Sequence, residues 1–342
     1  MLMVIFGAGA SYDSVPSRQP STHKRGALPT RPPLADELFL PEGLFAESLQ
    51  SFRRVSPIVP YLQAHNPQVT IEHRLEELQA EGESDPERKR QIAAVRFYLH
   101  FMIAQCEHEW NEVAAGVTSY VTLLDRLRRS RGTDPVLLAT FNYDRLIENA
   151  LQSVDINITD LSDYIRHDSF KLFKLHGSTH WAREVEQPPI ANVKDKNVWQ
   201  IAYDLIDRAP ELKISDRYRI IDERPIGKFD ETPLFPALAI PVETKRVFEC
   251  PSEHLDCLCA HLPKVKRILI VGWRGTEEHF LGLLKSHLST KVHIQVVVAD
   301  QKEAERVLSR FESAGIDYAP APTGFGFTEY VILREAERFF IF

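Results

Sequence analysis

Short runs of apolar residues recur along the chain, and each ends at a glycine or a polar cluster. The first, 1–6, breaks at Gly7-Ala8-Gly9, and the second, 135–140, runs into Phe141-Asn142-Tyr143-Asp144. A third, 170–175, ends at His176-Gly177-Ser178. A fourth, Arg267–Val271, ends at Gly272-Trp273-Arg274-Gly275-Thr276, and a fifth, 293–299, at Asp300. Runs this short that are apolar throughout predict buried strands of a parallel sheet. A last strand is predicted at 329–333.

Helical spacing fills most of the intervals. A short helix over 34–39 is entered through Pro32-Pro33. The block 44–130 reads as helical. Ser84-Asp85-Pro86-Glu87 carries a capping side chain and a first-turn proline, and Ile92, Val95, Phe97, Leu99, Ile103 and Cys106 then recur near helical spacing. A second helix is predicted over 117–129. Others run through Leu146, Ile147, Ala150 and Leu151, over 252–262, through Phe280, Leu281, Leu284 and Leu288, and over 302–313. The stretch 182–224 has no clean period and reads as a small subdomain or a long excursion, and 233–248 holds three prolines and reads as edge-like or irregular, so 182–248 is a candidate small irregular subdomain. The Pro-, Ser-, Thr- and Arg-rich segment 16–33 predicts a loop over the strand ends.

Strands alternating with helices predict an α/β chain. The expected fold is a Rossmann-like doubly wound parallel sheet, one domain over 1–342 with a helical insertion at 44–130. That insertion shows no catalytic constellation and is expected to pack on the sheet, cover the site or mediate self-association.

Composition narrows the classes. Of 342 residues, 44% are hydrophobic and 26% charged, which supports a sizeable core. The net charge of -7 argues against direct nucleic-acid binding, which draws on a basic excess. No apolar run approaches the ~20 residues that span a bilayer. With Met1 leading straight into a strand, no signal peptide is expected. Four cysteines make no disulfide framework, so a reducing cytoplasm is the expected setting.

In a parallel sheet, ligands bind outside the carboxyl ends of the strands. Here all five predicted strand ends are polar or glycine-rich, and all are expected at one crevice. Gly7-x-Gly9 suits a turn that lets a phosphate approach the backbone, and equally suits a plain strand-to-loop turn. Tyr12 stands where a dehydrogenase fingerprint has its third glycine, so hydride transfer is the least favoured reading.

Taken together, Phe6-Gly-Ala-Gly-Ala-Ser11, Pro33-Leu-Ala-Asp-Glu-Leu38, Thr140-Phe-Asn-Tyr-Asp144, Lys174-Leu-His-Gly-Ser178 and Val271-Gly-Trp-Arg-Gly-Thr276 resemble the sirtuin-like NAD-consuming superfamily. They are most similar to the bacterial sirtuin-like NAD hydrolases of anti-phage defence. The resemblance implies a Rossmann-like fold with NAD lying across the strand ends. It assigns Gly7, Gly9 and Ser11 to the phosphate-binding turn; Ala8 between them and Asp13 just after the turn are further cofactor-binding candidates, Asp13 equally fitting a plain structural role. It assigns Asn142 to the nicotinamide ribose and attacking water, Asp144 to the nicotinamide end, and His176 to catalysis. Gly272 and Trp273 would line the adenine-ribose side, and Asp300 would meet the adenosine ribose. The chain departs from deacylating sirtuins in having no Cys-x-x-Cys pair for a zinc module, which favours hydrolysis or cyclisation of NAD itself.

The chemistry fits these residue types. Breaking the nicotinamide–ribose bond builds oxocarbenium-like charge, as in glycoside hydrolysis. Nicotinamide leaves readily, so the site needs a base, a group that positions the nucleophile, and a dry pocket. An imidazole with a free pKa of ~6.5 suits the first role, and a carboxamide, which donates and accepts, the second. Each residue also has a plainer reading. His176 fits a satisfied turn histidine, Asn142 the cap of a helix beginning at Tyr143, Asp144 a first-turn helix-dipole partner, and Trp273 core. No metal is expected. The helical stripe Cys250, His254, Cys257, His261 spans ~16 Å at 1.5 Å per residue, too far for one tetrahedral ion.

The expected activity is therefore NAD hydrolysis to nicotinamide and ADP-ribose in abortive anti-phage defence. A sirtuin-type deacylase and a non-catalytic NAD-sensing module stay open, as does cleavage of NADP. Constitutive NAD loss would kill the host, so control is expected from the helical block, from homo-oligomer formation, or from an activating partner or phage protein.

Overall fold

A computed structural model describes residues 1–19, 31–64, 69–130, 132–187, 190, 192–221, 226–229, 232–242 and 248–340. Strand β1 (Leu2–Phe6) passes through Gly7 straight into the short helix α1 (Ala8–Tyr12). A helical block follows: α2 (Gly43–Ser51), α3 (Val59–Leu62), α4 (Ile71–Glu81), α5 (Pro86–Ala114) and α6 (Ser119–Ser130). The Asp85 side chain caps α5, accepting from Glu87 N at 2.8 Å, with Pro86 in the first turn. The chain returns to the sheet as β2 (Val136–Thr140), α7 (Leu146–Gln152), α8 (Asp163–Arg166) and β3 (Phe170–Lys174). It leaves again through β4 (Gly177–Gln187), α9 (Val198–Asp207), β5 (Lys213–Ile220), β6 (Lys228–Phe229) and β7 (Thr232–Leu238). The last part is α10 (Ser252–His261), β8 (Arg267–Val271), α11 (Glu278–His287), β9 (Val292–Val298), α12 (Gln301–Ser313), β10 (Tyr318–Pro320), β11 (Gly324–Phe325), α13 (Phe327–Ile332) and α14 (Glu335–Phe340).

Seven strands form one parallel sheet in the order β10-β9-β8-β1-β2-β3, with β11 also paired to β9. The chain starts mid-sheet, builds outward through β2 and β3, then returns to build β8, β9 and β10 on the other side. This is the Rossmann-like doubly wound order, and it reverses between β1 and β8. Strands β1, β2 and β8 are buried on both faces, which is why they read as unbroken apolar runs. Among the described residues no helix is long and apolar enough to cross a membrane.

Three expectations change. The stretch predicted as a strand at 329–333 is largely the helix α13, because Phe327, Tyr330 and Val331 bury one helical stripe. The stretch 182–248 contains regular structure, an antiparallel sheet in the order β5-β4-β7-β6 packed with α9. Its period is hidden because the β4–β5 pairing shifts register at Arg183/Val185 and Val185/Gln187. Strand β7 is interior despite Pro233 and Pro236. Its neighbour β6 pairs with Thr232 and Pro233 alone, so the rest of β7 is a ladder to β4. Residues 20–30 of the predicted loop 16–33, and 222–225 and 243–247 of the second-sheet stretch, lie outside the described residues.

Two apolar clusters result. One surrounds the parallel sheet. The other joins α2–α5 to α9 and the second sheet, around Phe52, Phe97, Leu205 and Phe235. Helix α5 belongs to both, through Trp110 in the first and Phe97 in the second.

At the switch point the exits of β1 and β8 touch backbone to backbone. A Cβ on Gly7 would stand 2.5 Å from Gly272 O, and one on Gly9 2.9 Å from Gly272 Cα. Gly272 itself has φ +59, and its Cβ would stand 2.3 Å from Ala10 N. Gly272→Ala therefore combines left-handed strain with a backbone clash and is expected to cost about 2 kcal/mol or more. Gly282, exposed in α11 with open space around it, is the control. Gly282→Ala is expected to stabilise by roughly 0.5–1 kcal/mol. Urea denaturation of both variants checks the opposite signs.

Candidate active site

The carboxyl ends of the parallel strands open into one crevice of about 1540 Å³. Gly7, Ala8, Gly9, Ser11, Asp13, Asn142, Asp144, His176, Gly272, Trp273 and Asp300 all line it. The structure brings these residues together, and it also shows what each one bonds.

The glycine turn is committed to the fold. Gly7 N donates to Val271 O at 3.0 Å and Gly9 N to Gly272 O at 3.1 Å. The atoms that approach these glycines closely are the Gly272-Trp273 backbone, so close packing already requires them. Ala8, at the tip of the turn, is exposed. Ser11 is buried behind it.

Asn142 does not cap a helix beginning at Tyr143. The helix α7 begins at Leu146, and it is Asp144 Oδ1 that accepts from Leu146 N, at 3.1 Å. Asn142 turns inward instead. Its Nδ2 donates to Gly7 O and to Ser11 Oγ, both at 2.9 Å. A carbonyl oxygen can only accept, so this pairing fixes which end of the carboxamide is nitrogen. Both N–H bonds are spent on the protein, and Oδ1 is the atom left for a ligand.

His176 sits where the chain passes from the parallel sheet to the second one. Gly177 follows at φ +83, pressed so close to Ala237 O that no Cβ fits, and His176 O accepts from Ala239 N at 3.0 Å. The imidazole meets the edge of Phe141 at 4.8 Å and lies 6.3 Å from the Tyr143 ring. Phe141 stacks on Trp273 at 5.2 Å and 11°. Trp273 is therefore wall and core together, with its Nε1 held by Glu277 at 2.5 Å. Aromatic faces of this kind keep water away from the imidazole.

Asp144 is buried. Burial, opposed by Lys174 and reinforced by Glu107, pushes its carboxyl up to about 6. Asp13 Oδ2 accepts from Thr328 N at 3.2 Å, which joins the exit of α1 to α13. Burial raises that carboxyl as well. Asp300 caps α12, accepting from Glu303 N at 2.9 Å.

The helical block reaches the site, which is one of the roles expected of it. Glu107, 1% exposed on α5, accepts from Arg145 N at 3.0 Å, Arg145 Nε at 2.9 Å and Thr179 Oγ1 at 3.2 Å. It thus ties the loop after β2 to the start of β4. One turn on, Trp110 Nε1 donates to Ser14 Oγ at 2.9 Å, and Ser14 Oγ donates to Ser11 O at 2.8 Å. Tyr120 of α6 shares a hydrogen bond with Ser11 Oγ at 3.1 Å. The available signal was a glutamate on the same helical face as the buried Ile103 and Trp110, a place where a charge is retained only with partners.

The cysteine–histidine stripe is otherwise engaged. His254 Nε2 bonds Leu161 O and His261 Nδ1 bonds Cys257 O, both at 2.7 Å. Among the described residues no group of three or more His, Cys, Asp or Glu is arranged to hold a metal ion.

A family model described as the SIR2-like domain matches residues 136–319, just over half of the chain. The span runs from β2 to within β10 and contains Asn142, Asp144, His176, Gly272, Trp273 and Asp300. No curated protein matches the chain.

The raised Asp144 carboxyl predicts a pH dependence. The folded protein holds this proton more tightly than the unfolded chain does. The group therefore favours folding below pH ~4, and that contribution is lost as the pH rises through about 6. Asp144→Asn removes the titration. The variant is expected to match wild type near pH 4 and to exceed its stability at pH 7 by up to roughly 3 kcal/mol, at ~1.4 kcal/mol per pKa unit. Denaturant midpoints of both proteins from pH 4 to 7 test the divergence.

Proposed function

The chain belongs to the SIR2-like domain family, whose function is NAD-related, and from this premise we propose that it hydrolyses NAD to nicotinamide and ADP-ribose. The observation that carries the reading is that a carboxamide anchored by its nitrogen and an imidazole set against aromatic rings face one crevice beside the β1 turn. NAD is the substrate in this reading, and the crevice volume accommodates a dinucleotide.

Each residue then has a defined task. Asn142 Oδ1 accepts from a ribose hydroxyl or from the attacking water. His176 takes a proton from that nucleophile as the nicotinamide–ribose bond breaks. The Phe141–Trp273 wall keeps bulk water off the oxocarbenium-like sugar, so that the held nucleophile reaches it first. Asp144, bonded to the backbone of α7, borders the nicotinamide end. The adenosine end lies toward Asp13, Trp273 and Asp300. The likeness of the five motifs to bacterial NAD hydrolases of anti-phage defence supports a place in abortive infection. In that setting the enzyme is cytoplasmic and gated, through self-association or an activating partner.

Chromatography of NAD incubated with the purified chain tests this. Wild type is expected to release nicotinamide and ADP-ribose in equal amounts. His176→Ala is expected to reduce the rate by ~10²–10⁴-fold, and Asn142→Ala by at least ~10²-fold. Equal rates in wild type and His176→Ala would refute the assignment. Products formed solely with an acetylated peptide, as O-acetyl-ADP-ribose, would make it a deacylase. If the resting protein is inactive, cellular NAD after phage challenge is compared between wild type and His176→Ala. NAD that falls equally in both overturns the assignment.

A further inference from the structure

We propose that Tyr120, on helix α6 of the inserted block, is a positioning residue that sets the Asn142 carboxamide through Ser11; this rests on the NAD-cleavage reading above. The contacts are short, and the phenol meets Asn142 itself as well as Ser11. Tyr120 Oη lies 3.1 Å from Ser11 Oγ, and Ser11 Oγ accepts from Asn142 Nδ2 at 2.9 Å. All three residues are buried: Tyr120 at 0%, Ser11 at 2% and Asn142 at 7% exposure.

A serine hydroxyl rotates freely unless its neighbours fix it. Ser11 Oγ can receive the Asn142 N–H only with a lone pair turned that way. Tyr120 fills another of its hydrogen-bond directions, and the Asp144 carboxylate, which can only accept, meets the same hydroxyl, so that together they leave this lone pair available. Burial raises the phenol well above its ordinary range, so Tyr120 keeps its proton. Its ring has little freedom. Phe6 and Phe327 meet it edge-on at 5.2 and 5.1 Å. The start of α6 is pinned by Ser119 N to Ser14 O at 2.7 Å and by Ser119 Oγ to Thr328 Oγ1 at 2.9 Å. Without the phenol the serine keeps the Asp144 carboxylate but loses one of the groups that orient it, and its hold on the carboxamide nitrogen weakens.

The test uses Tyr120→Phe in the full chain, with Tyr330→Phe as control. Tyr330 also buries its hydroxyl, bonded to Gln295 Oε1 at 2.6 Å, and it does not line the crevice. Tyr120→Phe is expected to lower kcat about tenfold, the scale of one net hydrogen bond. KM and ADP-ribose affinity should stay unchanged, and the loss of thermal stability should match that of Tyr330→Phe, which keeps wild-type kcat. Selective ¹⁵N-asparagine labelling reads the Asn142 NH₂ directly. Its hydrogen exchange is expected to be slow in wild type and in Tyr330→Phe, and faster in Tyr120→Phe. Unchanged exchange overturns the proposal, and so does a kcat loss matched by an equal loss of ADP-ribose affinity. If wild type cleaves no NAD under any condition, the functional reading fails, while the exchange comparison still decides whether Tyr120 holds the carboxamide.

Discussion

The crevice exists because two strand exits meet with no side chain between them. Gly7 and Gly9 lie on Gly272, and their N–H groups bond to Val271 O and Gly272 O. This contact joins β1 to β8 at the point where the sheet reverses direction. Every other group in the site is measured from it. Asn142 reaches across to Gly7 O, and Trp273, the next residue after Gly272, begins the aromatic wall. A methyl group at any of the three glycines would clash with the facing backbone and push the exits of β1 and β8 apart.

Helix α5 supplies the second constraint. Strand-end loops are the least supported part of a doubly wound sheet, since each is held by its own strand alone. Here one helix bonds three of them: Trp110 to the exit of β1, and Glu107 to the exit of β2 and to the start of β4. Glu107 is a buried carboxylate whose partners are hydrogen-bond donors from two loops. Removing one side of such a pair typically costs ~3–5 kcal/mol, because the remaining charge is left uncompensated. The insertion is thus part of the site's scaffold. Helices α2–α4 and the first part of α5 pack in the apolar cluster shared with the second sheet, whereas Trp110 and α6 pack in the cluster of the parallel sheet.

The two constraints together set the surroundings of the two residues on which the proposed reading rests. His176 lies at the seam between the sheets, where Gly177 forces the turn and Phe141 and Tyr143 enclose the ring. Asn142 lies where β1 and β2 end side by side. The imidazole has an apolar setting and the carboxamide a polar one, with its nitrogen consumed and its oxygen presented. In the proposed reading, a base and an acceptor held in unlike surroundings on one crevice serve the opening of a glycosidic bond to a good leaving group.

Much of this was determined by the sequence alone. Unbroken apolar runs ending in Gly-x-Gly, Asn, His-Gly and Gly-Trp are enough to predict a parallel sheet, its strands and the edge where ligands collect, because burial on both faces and tight exits leave direct marks on composition. The motif set likewise pointed to the family. Other features were decided only by tertiary structure. Whether Asn142 caps a helix or crosses to Gly7 depends on an acceptor 135 positions away. The stretch 329–333 became mostly helix because its apolar side chains found a stripe to bury. The second sheet was hidden by register shifts that erase alternation. Glu107, Trp110 and Tyr120 entered the site through hydrogen bonds spanning 38 to 109 positions. Hydrophobic patterning is local and is written residue by residue, whereas a hydrogen bond between distant polar groups exists only after packing has brought them together.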